Sequence, residues 1–286
     1  MLELFKEFEI GATWATVGFL FARSRKEIEA FAPRRQPRYV NVVLSPYGEA
    51  IGEGEADDPL HYAPSLIELI RDFPGQEMGT HTFSHYYCLE AGQDGAAFEA
   101  DLASAVAIAH DQGIRLDSIA IPRNQFNPSY RPLLLQAGLT CYRGNQPAWM
   151  YRASGGQRTG LPSRAMRLLD SYAPVRAGGL TRWSEVPEPD GLHNVPASLF
   201  LRPFAGQTLE RLRRRRIVMG LRRAAATRSI FHLWWHPHNF GAHTKENLSF
   251  LREILQEFDR LRERHGMASL SMRAVADHVQ RAGLDR

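Results

Sequence analysis

Gly75-Gln76-Glu77-Met78-Gly79-Thr80-His81-Thr82-Phe83-Ser84-His85 is the stretch on which the reading of the fold turns. A short strand from Gly75 to Gly79 delivers the chain into two imidazoles four residues apart. The same rhythm continues on both sides. Upstream, Pro64 to Phe73 has helical spacing, with Leu66, Leu69 and Ile70 on one face. Downstream, Gly95 to Gln112 reads as a helix with Phe98, Leu102, Ala105, Val106 and Ala109 turned inward, and Gly113 ends it. Ser118 to Pro122 follows as a strand, Tyr130 to Ala137 as a helix closed by Gly138, and Leu139 to Tyr142 as a strand. Alternation of this kind predicts an α/β fold built on a parallel sheet.

Working outward, Leu2, Leu4, Phe5 and Phe8 recur at helical spacing, and Ala12 to Val17 reads as a buried strand. The chain thus opens with a helix running into a core strand, where a βα repeat expects a strand before that helix. Residues 33–59 are rich in Pro, Gly, Asp and Glu and form a long excursion, placed to act as a lid. Residues 144–206 are irregular, broken by Gly178, Gly179, Pro187, Pro189 and Pro196, with a short helix over Ser163 to Leu169. Leu209 to Thr227 is helical, Ile230 to Trp235 is an apolar strand, Glu246 to His265 is a long helix, and Ser271 caps a last helix ending at Ala282. One domain over residues 1–286 is expected.

Hydrophobic residues make up 44% and charged residues 23%, which excludes a disordered chain. The net charge of +4 is concentrated at Arg211, Arg213, Arg214, Arg215 and Arg216, followed by Arg222, Arg223 and Arg228. A solvated helix face is the plainer reading, with Arg211, Arg214 and Arg215 on one side and Leu209, Leu212 and Ile217 or Val218 packed away. Recognition of a phosphate on a lipid carrier or nucleotide is the alternative. No nucleic-acid-binding motif accompanies the block. Cys88 and Cys141 have no CxxC partner, so a disulfide framework is not expected and a cytoplasmic location is. The apolar stretch from Ala12 to Ala22 is too short to span a bilayer, and no secretion segment is visible.

Three segments carry concentrated polar chemistry, each just past an expected strand, where sites on α/β folds gather. His81 and His85 would share a face if a helix starts there, and two neutral imidazoles so placed can chelate zinc. Thr82 and Ser84 can support them. In Pro122-Arg123-Asn124-Gln125-Phe126-Asn127-Pro128, Arg123 can fix a carboxylate, and Asn124 and Asn127 can orient substrate or cap turns. In His232-Leu233-Trp234-Trp235-His236-Pro237-His238-Asn239, alternation puts His232, Trp234 and His236 on one side. His236 falls at the strand end and can protonate a leaving group. Trp235, His238 and Asn239 can shape a substrate pocket.

In order and spacing these segments resemble the polysaccharide deacetylase family, which shares the chitooligosaccharide deacetylase homology domain. Ile10-Gly11-Ala12-Thr13-Trp14 resembles its second strand, His81 to His85 its histidine motif, and the strand ending in His236 its last motif. Arg123 to Asn127 resembles the arginine motif in variant form, with Asn127 where glycine is usual. The resemblance implies a distorted (β/α) barrel and one divalent metal, usually zinc, held by an aspartate together with His81 and His85. Water on the metal would attack the amide carbon, an aspartate partnered by Arg123 would act as base, and His236 would protonate the departing amine. The implied function is removal of an acyl group from an amino-sugar amide, lipid- or nucleotide-linked sugars included. Hydrolysis of another non-peptide carbon–nitrogen bond, or glycan binding without catalysis, are the alternatives.

The sequence departs from that pattern at its start. The family's paired aspartates precede the helix that Leu2 to Phe8 matches, and nothing in the placement of Glu55, Asp57 or Asp58 makes them substitutes. The expectation is a barrel missing its first strand, with an incomplete metal site and little or no hydrolysis. A truncated record is the preferred explanation, because a barrel lacking a strand exposes sheet edges; genuine loss of activity is the other.

Overall fold

A computed structural model describes residues 1–153, 155, 160–173 and 179–284. Five strands, β1 (Ala12–Thr16), β2 (Gln76–Thr80), β3 (Ser118–Ile119), β4 (Cys141–Tyr142) and β5 (His193–Asn194), lie side by side in chain order and run parallel. β6 (Leu199–Phe200) and β7 (Leu233–Trp234) form a separate parallel pair. The α/β expectation therefore holds, whereas the expected barrel is corrected: the described strands form an open sheet and a second ladder. The two named strands β5 and β6 are separated by residues 195–198, with Pro196 among them. On that stretch Val195 N donates to Tyr142 O (2.9 Å) and Ala197 N to Gly144 O (3.0 Å) on the β4 side, while Ser198 N donates to His232 O (2.8 Å) on the β7 side, so it hydrogen-bonds to both neighbours.

Helices fill the crossovers, as parallel strands require. Between β1 and β2 stand α2 (Arg25–Phe31) and α3 (Pro64–Arg71). α4 (Gly95–Asp111) joins β2 to β3, α5 (Arg131–Gln136) joins β3 to β4, and α6 (Leu161–Tyr172) lies before β5. α7 (Gln207–Thr227) joins β6 to β7, and α8 (Thr244–His265) and α9 (Met272–Arg281) follow. α1 (Leu2–Glu7) precedes the sheet. Ser271 caps α9 as expected, accepting from Ala274 N.

α4 buries Phe98, Leu102, Ala105 and Ala109 against Phe83, Tyr86 and Ile119 of the sheet side. α1 joins α7 and α8 in a second cluster built on Phe5, Ile217, Leu251 and Phe258. Two helix faces differ from expectation. On α3 the buried residue is Ile67, while Leu66 and Leu69 are exposed. Ala63 N donates to Leu20 O at 3.0 Å just before Pro64, and this anchor sets the helix phase.

On α7, Arg211, Arg214 and Arg215 are exposed and Ile217 is buried as expected, but two further arginines turn inward where two leucines were expected to. Arg213 is 2% exposed and Arg216 7%, whereas Leu209 and Leu212 face solvent. Arg213 lies over the Phe250 ring at 3.8 Å and pairs with Glu210; Arg216 pairs with Asp170. Arg214 and Arg222 reach Glu253 and Glu257 on α8. Long apolar stems with paired charged heads make these residues a helix seam. No described helix is long and apolar enough to cross a membrane. Cys88 and Cys141 are buried and free. Gly178, expected to break the irregular stretch, lies outside the described residues.

Candidate active site

The carboxyl ends of β2, β3, β4 and β7 bring the three polar segments to one rim. The parallel ladder continues one residue past each strand: His81 N donates to Thr16 O (2.8 Å), Ala120 N to Thr80 O (3.0 Å) and Arg143 N to Ile119 O (2.9 Å). Their side chains are therefore delivered by the sheet, not by free loops.

His81 and His85 do not sit on a helix. Thr82 and His85 have φ of 66° and 58°, and the chain turns back on itself. The turn still places the two rings 4.9 Å apart, edge to face. Several groups hold it. Thr82 Oγ1 accepts from Tyr86 N at 2.7 Å, and Thr80 Oγ1 accepts from Thr82 N at 3.0 Å. Asp101 of α4, fully buried, accepts from Phe83 N (2.8 Å), Ser84 N (3.2 Å) and the Ser84 hydroxyl. Asp101 had no signal in the sequence beyond being an acidic residue on an otherwise apolar helix face. Burial pushes its carboxyl up to about 6, opposed by those donors.

Gly18 completes the support from the β1 side. Its N donates to Thr82 O at 2.9 Å, and Phe19 N donates to Phe83 O at 3.2 Å. A Cβ at Gly18 would lie 2.8 Å from Phe83 Cα, a contact only a backbone shift relieves. Gly18→Ala is expected to cost roughly 1–3 kcal/mol as an overpacked contact, read as a lowered urea midpoint. An unchanged midpoint would show that the turn has slack.

Four of the seven described non-glycine residues with positive φ lie on this rim: Thr82, His85, Arg123 and Asn124. Left-handed backbone at such residues costs free energy and concentrates at functional sites. Arg123 stands over the Tyr87 ring at 4.4 Å, and Tyr87 meets His85 edge-on at 5.1 Å. Asn124 Oδ1 accepts from Arg143 at 2.8 Å. Asn127 is used differently: its Oδ1 accepts from Ser129 N and Oγ, capping the turn.

His236 sits at the mouth, exposed, its ring stacked on His238 at 5.2 Å and 13° and edge-on to Trp234 and Phe200. Trp234, not Trp235, faces this side, with Arg143 lying over its ring at 4.1 Å. Trp235 turns to the core against Phe5 and Phe240. Asn239 N donates to His236 O at 3.0 Å, closing the turn behind that ring. Sequence reading missed Arg143 altogether, since an arginine after a two-residue strand has no motif around it.

The electrostatics keep the imidazoles neutral. Burial holds His81 down to about 3, and the charges of His85, Arg143 and His236 act in the same direction. Burial, then Arg123 and His236, hold His85 at about 4. His236 is lowered by burial, His238 and Arg143. These couplings also show that the two pair members and His236 share one electrostatic neighbourhood. His81 Nδ1 lies 2.5 Å from Ala120 O, so it carries the proton and leaves Nε2 with its lone pair. A histidine that binds metal through one nitrogen typically donates the other N–H in this way. As a test of fit, the pair thus offers two neutral nitrogen donors of the right kind. Among the described residues no group of three His, Cys, Asp or Glu forms around them, one fewer than a catalytic zinc site normally takes from protein.

These histidines also set an acid limit. His81, His85 and the half-buried His232, held at about 4, are all depressed below 6.5. Their contribution to stability is complete above pH 6.5 and is lost as pH falls, by about 1.4 kcal/mol per pH unit for each group. Asp101, raised from 3.8 to about 6, acts in the opposite sense and offsets about one of them. Stability measured by urea unfolding is expected to fall continuously from pH 6.5 to 4.5; a flat profile would contradict the burial of these rings.

A groove of about 540 Å³ opens at the other end of the strands, beside Gln76, Glu77, Arg115, Asp117 and Arg273. Its carboxylates are committed: Asp117 is paired to Arg115 and Arg273, and Glu77 accepts from Thr13, Ser118 and Arg273 N.

By fold, the chain is similar to the crystal structure of a "putative polysaccharide deacetylase" from Mycobacterium smegmatis, with 14% identity and a TM-score of 0.56 over 99% of this chain and 76% of that one. No protein-family profile matches the sequence, and no curated protein matches it.

Proposed function

We propose that this protein is a hydrolase that removes an acyl group from an amino-sugar amide, using a divalent metal, zinc, held by His81 and His85. The observation that carries this is the neutral imidazole pair, 4.9 Å apart, with His81 Nδ1 against Ala120 O and His236 in the same neighbourhood. The fold likeness supports it. When bound, such a metal lowers the pKa of water and polarises an acyl oxygen. The chain's own residues do the rest. His236, at the mouth, protonates the departing amine. Arg123, which has no carboxylate partner among the described residues, stands over Tyr87 beside His85 and is left to meet an acidic group of the ligand. Asn124, His238 and Asn239 line the approach of the sugar, while Asn127 and Trp235 hold the turn and wall behind them.

The test is zinc-dependent release of acetate from N-acetylated oligosaccharides and from lipid- or nucleotide-linked N-acetyl sugars. Release that stops on chelation and returns with zinc is expected. A protein that binds these sugars but releases no acetate with zinc present fits the second reading, glycan binding without catalysis, which the two-donor metal set favours. Release that is unaffected by chelation would remove the metal from the proposal.

A further inference from the structure

We propose that Arg143, Arg123 and Asn124 form a receptor for an oxyanion, a carboxylate or a phosphate, carried by the ligand of this site. Arg143 sits at the end of β4 with its guanidinium between Asn124 and the Trp234 ring. Its Nε is buried and has no hydrogen-bond partner. Among the described residues no carboxylate lies within ion-pair distance of Arg143 or Arg123, although the arginines of α7 named above have such partners. Glu49 and Glu90 act on Tyr87, which Arg123 covers.

A guanidinium drawn out of water without a counter-ion is costly, and a bound oxyanion repays that cost. The donor set matches one. Asn124 Oδ1 is occupied by Arg143, which turns the amide so that its NH2 is the free end. Arg143 Nε adds a second donor and Arg123 a planar fork suited to two oxygens of one group. The backbone that brings Arg123 and Asn124 here is left-handed at both residues, at φ 50° and 55°. Neutral acetylated sugars have no group that answers this arrangement; a uronic acid or a sugar phosphate does. That the oxyanion belongs to the substrate of a deacylase rests on the preceding reading; that an oxyanion binds does not.

Calorimetric titration of the whole protein with inorganic phosphate, and separately with acetate, at low ionic strength and pH 7.5 tests the inference. Saturable binding of at least one is expected, and which of the two binds tells phosphate from carboxylate. Arg143→Met and Arg123→Met are each expected to weaken it at least tenfold. Arg123 is exposed, so its variant should keep the wild-type melting curve even if Arg143→Met unfolds. No binding to the wild type, or equal binding by folded Arg123→Met, overturns the receptor. Anion binding with no acetate release from either neutral or anionic N-acetyl sugars leaves the receptor standing and removes the deacylase.

Discussion

A His236→Ala variant is expected to bind zinc like the wild type and to lose turnover by about 10²- to 10⁴-fold, the usual contribution of a positioned proton donor. His81→Ala and His85→Ala should instead lose zinc itself. The contrast follows from position. His81 and His85 face each other at 4.9 Å, and His81 is oriented by Ala120 O, so deleting either ring leaves a single donor. His236 is exposed at the mouth and stacks on His238, outside the pair's contact. Its lowered pKa gives the sign of the pH effect: the protonated form that serves as acid is depleted as pH rises. The wild type should therefore lose rate on the alkaline side, and His236→Ala should lose that limb. Zinc affinity by calorimetry and acetate release on the same preparations decide it. Equal loss of zinc in all three variants would place His236 among the ligands.

Asp101→Ala carries the second large effect, on stability. Its carboxylate answers two backbone N–H groups and one hydroxyl, all buried. Each donor left without a partner costs about 1–3 kcal/mol, so a loss on the order of 3–5 kcal/mol is expected, much of the margin of an ordinary domain. The histidine turn, having no helix to support it, should lose its shape with it. Urea unfolding measures the first consequence and zinc affinity the second. A stable variant with normal zinc affinity would show that Thr80, Thr82 and Gly18 hold the turn unaided.

The alternation of strands and helices was legible where a glycine follows a helix, as Gly113 follows α4 and Gly138 follows α5, and leads into the next strand. The three rim segments were legible because each follows a strand. What escaped is informative. His81 and His85 meet without a helix, because Asp101, eighteen residues beyond Phe83, organises the turn, and a partner at that distance leaves no local pattern. Arg143 was hidden because its meaning lies in what it lacks. Of the five arginines over residues 211–216, Arg211, Arg214 and Arg215 are exposed as read; the burial of Arg213 and Arg216 escaped because it depends on Glu210 one turn back and on Asp170 and Phe250 elsewhere in the chain. The barrel expectation is not met by the described strands, in which β6 and β7 pair apart from the five-stranded sheet.

The long excursion has its own fastening. Tyr39 Oη accepts from Tyr87 N at 2.8 Å, and Arg38 and Val40 donate their N–H groups to Gly92 and Ala91. Past this clasp, Val40, Val42 and Val43 stand in solvent. The segment can lengthen, shorten or change its tip during evolution while the clasp keeps the ring beneath Arg123 in place. A change of length at that tip is therefore mechanically separated from the rim, because the fastening lies between them.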